Sequence, residues 1–207
     1  MKILLLHGAK CTIDIWNSFD INEEVIKLSY PKGVLANAHN VKDIASGLAD
    51  SVTDAHFDCI IGHSMGGLIA LDLVVSHKIK CKKLILIETN LRPAKQFYRN
   101  LLLEENKSRY LPYLLDMFTE EGTYYSNELL NSFQESFDYT QYIYDLDIPI
   151  HLIYGDRGFH DYQYRIDDLC LTNESIKKIQ FHFVRNACHM PMLENPSHLL
   201  EIVNSII

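Results

Sequence analysis

The chain has 207 residues, 47% of them hydrophobic and 22% charged, a composition typical of a globular protein with a sizeable buried core. Its formal net charge of -8, with no lysine- and arginine-rich run, argues against a nucleic-acid-binding or anionic-membrane surface. The five cysteines are scattered and never form a C-x-x-C pair, which argues against a disulfide framework or a zinc site. No apolar run reaches the length of a membrane span. We therefore expect one cytoplasmic domain.

Short apolar runs alternate with helical patterns through the first half of the chain. Strands are predicted for residues 2–6, 25–29, 57–62 and 82–88. A short helix is predicted around Trp16, and a loop at residues 30–33 because they include proline and glycine. A helix before the third strand is predicted from apolar residues at helical spacing: Val41, Ile44, Ala45, Leu48, Val52 and Ala55. The helix after the third strand is apolar almost all round, so we expect it to be buried.

The pattern changes between about residues 89 and 147, where no strand-like run occurs. Helical spacing here includes three groups of apolar residues: Phe97, Leu101 and Leu102; Leu111, Leu114, Leu115 and Phe118; and Leu129, Leu130, Phe133 and Phe137. Strands resume at residues 148–154 and 179–184, and a closing helix begins at about Pro196. We name residues 89–147 the cap segment and expect most of its many aromatic side chains to pack it onto the sheet.

The third predicted strand leads into the pattern G-x-S-x-G. Residues 62–66 read Gly-His-Ser-Met-Gly and are followed directly by the apolar helix. A strand, a sharp turn and a helix are the context in which this pattern presents a nucleophilic serine. The turn predicts a strained, positive φ for Ser64, with Gly62 and Gly66 leaving room for the backbone. The alternative is a glycine-rich turn with an incidental serine.

Strands that alternate with helices predict a mainly parallel sheet covered by helices on both faces. In open sheets of this kind, ligands bind beyond the carboxyl ends of the strands. His7, Gly8 and Ser64 each lie just beyond such an end. The sequence therefore places a candidate site at this edge of the sheet.

Four segments together resemble the α/β-hydrolases. They are His7-Gly8 after the first strand, residues 62–67, residues 154–156 (Tyr-Gly-Asp) after the fifth strand, and residues 188–196, which resemble the family's G-H-x-P-x-x-E-x-P. The resemblance implies a three-layer α/β-hydrolase fold with a mostly parallel sheet of about six strands in the spatial order 2-1-3-4-5-6. It also implies a single domain spanning residues 1–207, with a helical lid at about residues 89–147.

The resemblance assigns roles to residues at this edge. Ser64 is the predicted nucleophile and His189, in the loop after the sixth strand, the predicted base. The oxyanion hole is predicted from two backbone N–H groups, those of Met65 and Ala9. We expect His7 to be a structural residue of its loop. No cofactor and no metal are implied.

The triad acid departs from the family's pattern. The family writes G-x-x-D after the fifth strand, and Gly158 stands at the position of that aspartate. Three other carboxylates compete for the role. Asp156 is our leading prediction because it is nearest to the strand end; Glu88 ends the fourth strand, where some α/β-hydrolases carry the acid; and Asp161 would need a longer loop excursion.

The predicted function is hydrolysis of a small or medium carboxylic ester or thioester through an acyl-enzyme on Ser64. One alternative is a cofactor-free triad lyase similar to the menaquinone-pathway synthase, with an anionic substrate held by basic residues such as Lys10, Arg92, Arg99, Arg109 and Arg157. Another is a non-catalytic ligand-binding homologue, which Gly158 at the acid position would favour. The predicted partner is a small-molecule acyl substrate.

Overall fold

The computed structural model describes residues 1–52, 56–133 and 135–207. The strands are β1 (Lys2–Leu6), β2 (Glu24–Leu28), β3 (His56–Phe57), β4 (Cys59–His63), β5 (Lys80–Cys81), β6 (Leu84–Ile87), β7 (Ile150–Gly155) and β8 (Ile179–Val184). The α-helices are α1 (Lys32–Asn37), α2 (Val41–Val52), α3 (Met65–Val75), α4 (Glu104–Gly122), α5 (Asn127–Ser132), α6 (Thr140–Tyr144), α7 (Tyr162–Asp168), α8 (Asn173–Lys178), α9 (Pro191–Glu194) and α10 (Pro196–Ile206). Two 3₁₀ helices span Ile13–Trp16 and Gln96–Arg99.

Six strands form one sheet in the order β2-β1-β4-β6-β7-β8, with every neighbouring pair parallel. The predicted spatial order is therefore confirmed. A separate pair, β3 with β5, was not predicted. The apolar run at residues 57–62 reads as one strand, but Asp58 interrupts it and accepts a hydrogen bond from the N–H group of Lys2 at 2.8 Å.

The sheet separates two hydrophobic cores. In β1, Leu4 and Leu6 point into one core, and Ile3 and Leu5 point into the other. All four side chains are fully buried, because helices cover both faces of the sheet. The predicted three-layer α/β arrangement is confirmed.

Helix α3 runs through the centre of one core. Every residue from Met65 to Leu73 is buried, as its uniformly apolar sequence predicts. The exception to its apolar character is Asp72, whose carboxylate accepts hydrogen bonds from Ser76 Oγ at 2.8 Å and from Tyr142 Oη at 2.7 Å. Tyr142 belongs to the cap segment, so this buried carboxylate anchors the cap segment to the core.

Two local predictions were wrong and one falls outside the description. Helix α1 begins at Lys32, where a loop was predicted, because Pro31 precedes the helix as its N-cap rather than ending it. Leu101 and Leu102 link the second 3₁₀ helix to α4 and are not helical. Ala55, assigned to the second predicted helix, lies outside the described residues.

The cap segment is helical in the residues that the structure describes. It contains the second 3₁₀ helix and α4, α5 and α6, which lie between β6 and β7 in the chain. An ion pair between Arg92 and Asp138 at 2.6 Å and a hydrogen bond from Tyr139 N to Leu91 O at 2.8 Å join its two ends. Across the described ranges, no helix combines the length and apolar character required to cross a membrane.

Candidate active site

Ser64 occupies the sharp turn between β4 and α3. Its backbone has φ 53 and ψ -119, a conformation that is strained for any residue with a Cβ atom. The turn can close because Gly62 has no Cβ atom. A Cβ at this position would lie only 2.5 Å from the carbonyl oxygen of Gly66. Hydrogen bonds hold Ser64 on both sides: its N–H donates to Ile87 O at 2.9 Å, and Thr89 Oγ1 donates to its carbonyl at 3.1 Å. The predicted strained turn is present.

The two predicted oxyanion donors lie on the same cavity as Ser64. Ala9 and Met65 both line this cavity, and no turn or loop hydrogen bond of the described residues engages either N–H group. A hydrogen bond joins the loop that carries Ala9 to the cap segment, since Lys10 N donates to Tyr125 Oη at 2.8 Å. Backbone donors at a helix N-terminus and a fixed loop can stabilise an oxyanion.

His189 contacts Glu88. The imidazole Nδ1 lies 3.3 Å from Glu88 Oε2, and the carboxylate also accepts from Gly155 N at 2.5 Å and from both terminal nitrogens of Arg157 at 2.8 and 2.7 Å. Burial alone would raise the pKa of the Glu88 carboxyl, but the charge and hydrogen bonds of Arg157, together with His189, lower it to about 2. An ionised carboxylate only accepts, so Nδ1 of His189 is the donor in this contact.

Arg157 compensates the charge of this buried carboxylate. Its side chain is only 2% exposed and Glu88 is fully buried. The guanidinium also donates to Phe97 O at 3.0 Å and lies beside the rings of Phe97 and Tyr98, with its centre 5.3 and 5.2 Å from them. Burial disfavours the charged guanidinium, but Glu88 raises the pKa of Arg157 above its ordinary value. The pair therefore joins the end of β6, the loop after β7 and the cap segment.

Backbone contacts fix the His189 loop. The carbonyl of His189 accepts from His63 Nε2 at 2.9 Å, and its N–H donates to Asn100 O at 3.2 Å. Burial lowers the pKa of His63 to about 3, so this ring is neutral at neutral pH. Glu194 accepts from Cys188 N at 2.6 Å, which holds the start of the loop. His63 thus connects the turn at Ser64 to His189.

The structure does not bring Asp156, the leading candidate for the acid, to His189. The Asp156 carboxylate is fully buried and accepts from Gly158 N and Asn186 N, each at 2.8 Å. Its other oxygen faces His160 Nδ1 at 3.3 Å and Tyr162 Oη at 3.5 Å. Asp156 therefore closes the turn after β7, and among the described residues none of its hydrogen bonds goes to His189.

Asp161 and the family's usual acid position at Gly158 lie in other local structures. Asp161 caps helix α7, where its side chain accepts from Tyr164 N at 3.2 Å. Gly158 is exposed at φ 76, so the usual acid position carries no side chain and lies in a turn. Of the three carboxylates that the sequence proposed, Glu88 is the one in contact with His189.

A cavity of about 500 Å³ opens over Ser64. Ala9, Met65 and Glu88 line it together with Ser64, so these four candidate residues share one space. Among the described residues, the hydrogen bonds of His189 go to Glu88, His63 and Asn100, and none goes to Ser64. The hydrogen bond between nucleophile and base often tightens only when substrate is bound.

The rest of the cavity wall is mixed in character. Its apolar part is formed by Val41, Leu68, Pro93, Ala94, Phe133 and Phe137, and its polar part by Asn90, Arg99 and Glu135. In the described part of the chain, no group of three or more His, Cys, Asp and Glu side chains is arranged to hold a metal ion. The cavity is therefore suited to an organic ligand with both apolar and polar portions.

Sequence reasoning missed the residue that is paired with Glu88. Arg157 appeared only as one of several basic residues that could hold an anionic substrate, whereas its guanidinium is bonded to Glu88. The sequence signal available was an arginine directly after the strand-end pair Gly155 and Asp156. That signal does not say which neighbouring strand the side chain reaches.

Comparison with known structures places the fold. Est816, described as an N-acyl homoserine lactone degrading enzyme, aligns with a TM-score of 0.75 and 13% identity over 100% of this chain and 93% of its own. A thermophilic esterase from Thermogutta terrifontis aligns at 0.73 with 17% identity over 100% and 89%. The deformylase Nfo from Pseudomonas putida aligns at 0.69 with 16% identity over 98% and 91%.

At the level of sequence, no family model and no curated protein matches the chain. Identities of this size carry information about the fold alone, and the aligned structures span nearly the whole chain. The strand order and the strained turn at Ser64 agree with that result. The chain has the α/β-hydrolase fold.

Proposed function

We propose that this chain is a serine hydrolase that cleaves a small or medium carboxylic ester or thioester through an acyl-enzyme on Ser64. One observation carries the proposal: the strained Ser64, the residues Ala9 and Met65 with their backbone N–H groups, and Glu88 line one cavity, and Glu88 is bonded to His189. Esterases and other hydrolases among the structural neighbours support ester hydrolysis in general.

The mechanism follows from the roles that the geometry allows. Ser64 Oγ attacks the carbonyl carbon while Nε2 of His189 takes its proton. The N–H groups of Ala9 and Met65 stabilise the oxyanion, and the imidazolium then protonates the departing alcohol or thiol. Water, deprotonated by the same nitrogen, releases the acyl group. Glu88 holds the proton on Nδ1 throughout and stabilises the imidazolium, as the acid of a triad does.

The departure at Gly158 does not weaken this proposal. The non-catalytic alternative rested on a missing acid, whereas Glu88 supplies a carboxylate that is bonded to His189 at 3.3 Å. The cavity volume of about 500 Å³ lies within the usual range for small-molecule sites. It supports an acyl substrate of small or medium size rather than a polymer.

The test is hydrolysis of p-nitrophenyl esters of increasing acyl length, with fluorophosphonate labelling in parallel. Wild type is expected to be labelled and active, and Ser64→Ala to lose the label and about 10⁴-fold or more of kcat/KM. Ser46→Ala is the matched control, because Ser46 is exposed on α2, where its hydroxyl donates to Lys42 O at 3.0 Å and lies 3.4 Å from His77 Nε2. It is expected to retain both label and activity.

Three outcomes separate the alternatives. Activity and label that depend on Ser64 support the hydrolase. Labelling of Ser64 without turnover of any ester or thioester would overturn hydrolysis and favour a triad lyase. A folded wild type that is neither labelled nor active would remove the nucleophile and leave a ligand-binding role.

A further inference from the structure

Arg99 is a cation of the active-site cavity that pairs with no carboxylate of the described residues. Three charged residues line this cavity: Glu88, Arg99 and Glu135. Glu88 is paired with Arg157. Within the described ranges, Arg99 donates only from Nε, to Ala94 O at 2.9 Å, and its two terminal nitrogens have no hydrogen-bond partner. The cavity therefore presents an unused guanidinium fork.

Arg99 lies on the His189 side of the cavity. It also lines an adjoining cavity of about 360 Å³, together with Asn100, Arg157 and Cys188. These three residues surround the base: Asn100 accepts from its N–H, Cys188 precedes it in the chain, and Arg157 binds its partner Glu88. The cationic part of the wall is thus next to the base.

The apolar part of the cavity wall borders a different cavity from the one beside Arg99. Val41, Leu68, Phe133 and Phe137 line a third cavity of about 360 Å³, which Arg99 does not line. Glu135 lines both this third cavity and the main one. Lys42 and Asp138, whose carboxylate is paired with Arg92, line only the third cavity, so Glu135 is the charged residue at the junction of the two. An acyl chain is accommodated at this apolar end, whereas a second negative charge at the junction would be repelled by Glu135.

The reaction orients a substrate between these two ends. The base protonates the leaving group, so the leaving group lies on the His189 side and the acyl chain on the other. We propose that Arg99 binds a carboxylate on the leaving-group portion of the substrate, which is then an ester or thioester of an anionic alcohol or thiol. This inference rests on the proposed hydrolase activity. A planar guanidinium with two free nitrogens binds a carboxylate through two parallel hydrogen bonds.

The experiment uses two esters that differ only in the charge of the leaving group. They are 4-(butyryloxy)benzoate and 4-(butyryloxy)benzamide, and the measured quantity is the ratio of their kcat/KM values. Comparing this ratio between variants cancels the intrinsic reactivity of the two esters. Because Arg99 is exposed, Arg99→Gln is expected to lower the ratio by about tenfold, and Arg99→Lys by less, since lysine keeps the charge but not the fork.

Two further variants make the test specific. Arg109→Gln removes the same charge from an exposed position of α4 outside the three cavities and is expected to leave the ratio unchanged. Glu135→Gln removes a negative charge from the cavity wall. In this variant we compare hydrolysis of a neutral ester with that of the mono-p-nitrophenyl ester of succinic acid, which carries its charge on the acyl portion. Only the succinate ester is expected to gain.

The outcomes distinguish this inference from the proposed function. If the benzamide ester is hydrolysed in a Ser64-dependent manner but Arg99→Gln leaves the ratio unchanged, the Arg99 proposal fails and the hydrolase stands. If Arg99→Gln instead reduces hydrolysis of the succinate ester selectively, the anion belongs on the acyl portion and the proposed orientation is wrong. If Ser64→Ala and wild type are equally inactive on every ester, the proposed function itself fails.

Discussion

Glu88 and Asp156 stand directly after neighbouring strands, β6 and β7, and both carboxylates are fully buried. Their partners differ. Glu88 is bonded to the guanidinium of Arg157 and to the imidazole of His189, whereas Asp156 accepts from the backbone N–H groups of the turns that surround it. Neither burial nor position at a strand end therefore separates the two carboxylates; the groups that they contact do.

Both regions contain left-handed backbone. Ser64, Glu88 and Arg157 have φ values of 53, 50 and 52. Beside Asp156, its two hydrogen-bond donors Asn186 and Gly158 have φ values of 50 and 76. A left-handed backbone at a residue other than glycine costs free energy and persists only where its surroundings impose it. Backbone strain therefore occurs around both carboxylates and does not separate them.

The sharpest test of the difference between Glu88 and Asp156 replaces each carboxylate with the corresponding amide. Glu88→Gln is expected to lower kcat for p-nitrophenyl butyrate by about 10³- to 10⁴-fold, because a neutral amide does not fix the imidazole tautomer or stabilise the imidazolium. Asp156→Asn is expected to stay within about tenfold of wild type, because its contacts hold a turn. The reverse ranking of the two variants would identify Asp156 as the acid.

A control is needed because Glu88→Gln also leaves the buried charge of Arg157 without a partner. The double variant Glu88→Gln with Arg157→Gln removes both charges. If it shows the circular dichroism of wild type and remains as inactive as the single variant, the loss of rate comes from His189. Recovery of activity in the double variant would show that the single change had acted through the uncompensated charge.

Removal of Arg157 is expected to have the largest effect on stability. Arg157→Met leaves Glu88 buried and uncompensated, which costs about 3–5 kcal/mol in the free energy of unfolding. Arg185→Gln, at an exposed position in the loop after β8, is expected to change it by less than about 1 kcal/mol. Urea denaturation measures both values. Equal effects of the two substitutions would show that the buried pair does not stabilise the fold.

The lowered pKa of Glu88 predicts a dependence of stability on pH. The pKa is about 2 in the folded chain against an ordinary value of 4.5, so the unfolded chain takes up this proton first as the pH falls. The stabilisation is complete above about pH 4.5 and is lost towards pH 2. Relative to Glu88→Gln, wild type should lose about 1 kcal/mol between pH 4.5 and 3.5, because the unfolded carboxyl passes from half to almost full protonation over this interval. A difference that stays constant over this interval would contradict an ionised Glu88.

The smallest effects are expected around Asp156. The His160 side chain is 69% exposed, and the Tyr162 hydroxyl lies 3.5 Å from the carboxylate. His160→Gln and Tyr162→Phe should each change the free energy of unfolding by less than about 1 kcal/mol and kcat by less than about twofold. Tyr162→Phe keeps the ring that stacks on Phe183 at 4.5 Å, so it removes the hydroxyl alone. A loss of activity in either variant would reopen a role for Asp156 in the reaction.

Much of the architecture follows from local patterns. A run that is apolar after its first residue predicted the strand at Lys2–Leu6, and proline in a first turn predicted the helix Pro196–Ile206. Predictions failed where a local rule had two readings. Pro31 ends an extended segment or begins a helix, and only packing of the following turn against its neighbours selects between them.

The sequence by itself determined the alternation of strands and helices and the glycine-flanked turn at Ser64, because both depend on short-range features such as apolar periodicity and turn residues. The order of the six strands was implied by the resemblance to the α/β-hydrolases, and the structure confirms it. Only the tertiary structure shows Glu88 in contact with His189 and Asp156 bonded to the turns around it. Both follow a strand directly, so their sequence contexts are equivalent. Contact with His189 depends on the direction of each side chain and on Arg157, which lies 69 residues from Glu88 in the chain. Such a long-range pairing is set by packing and charge compensation, which no local pattern encodes.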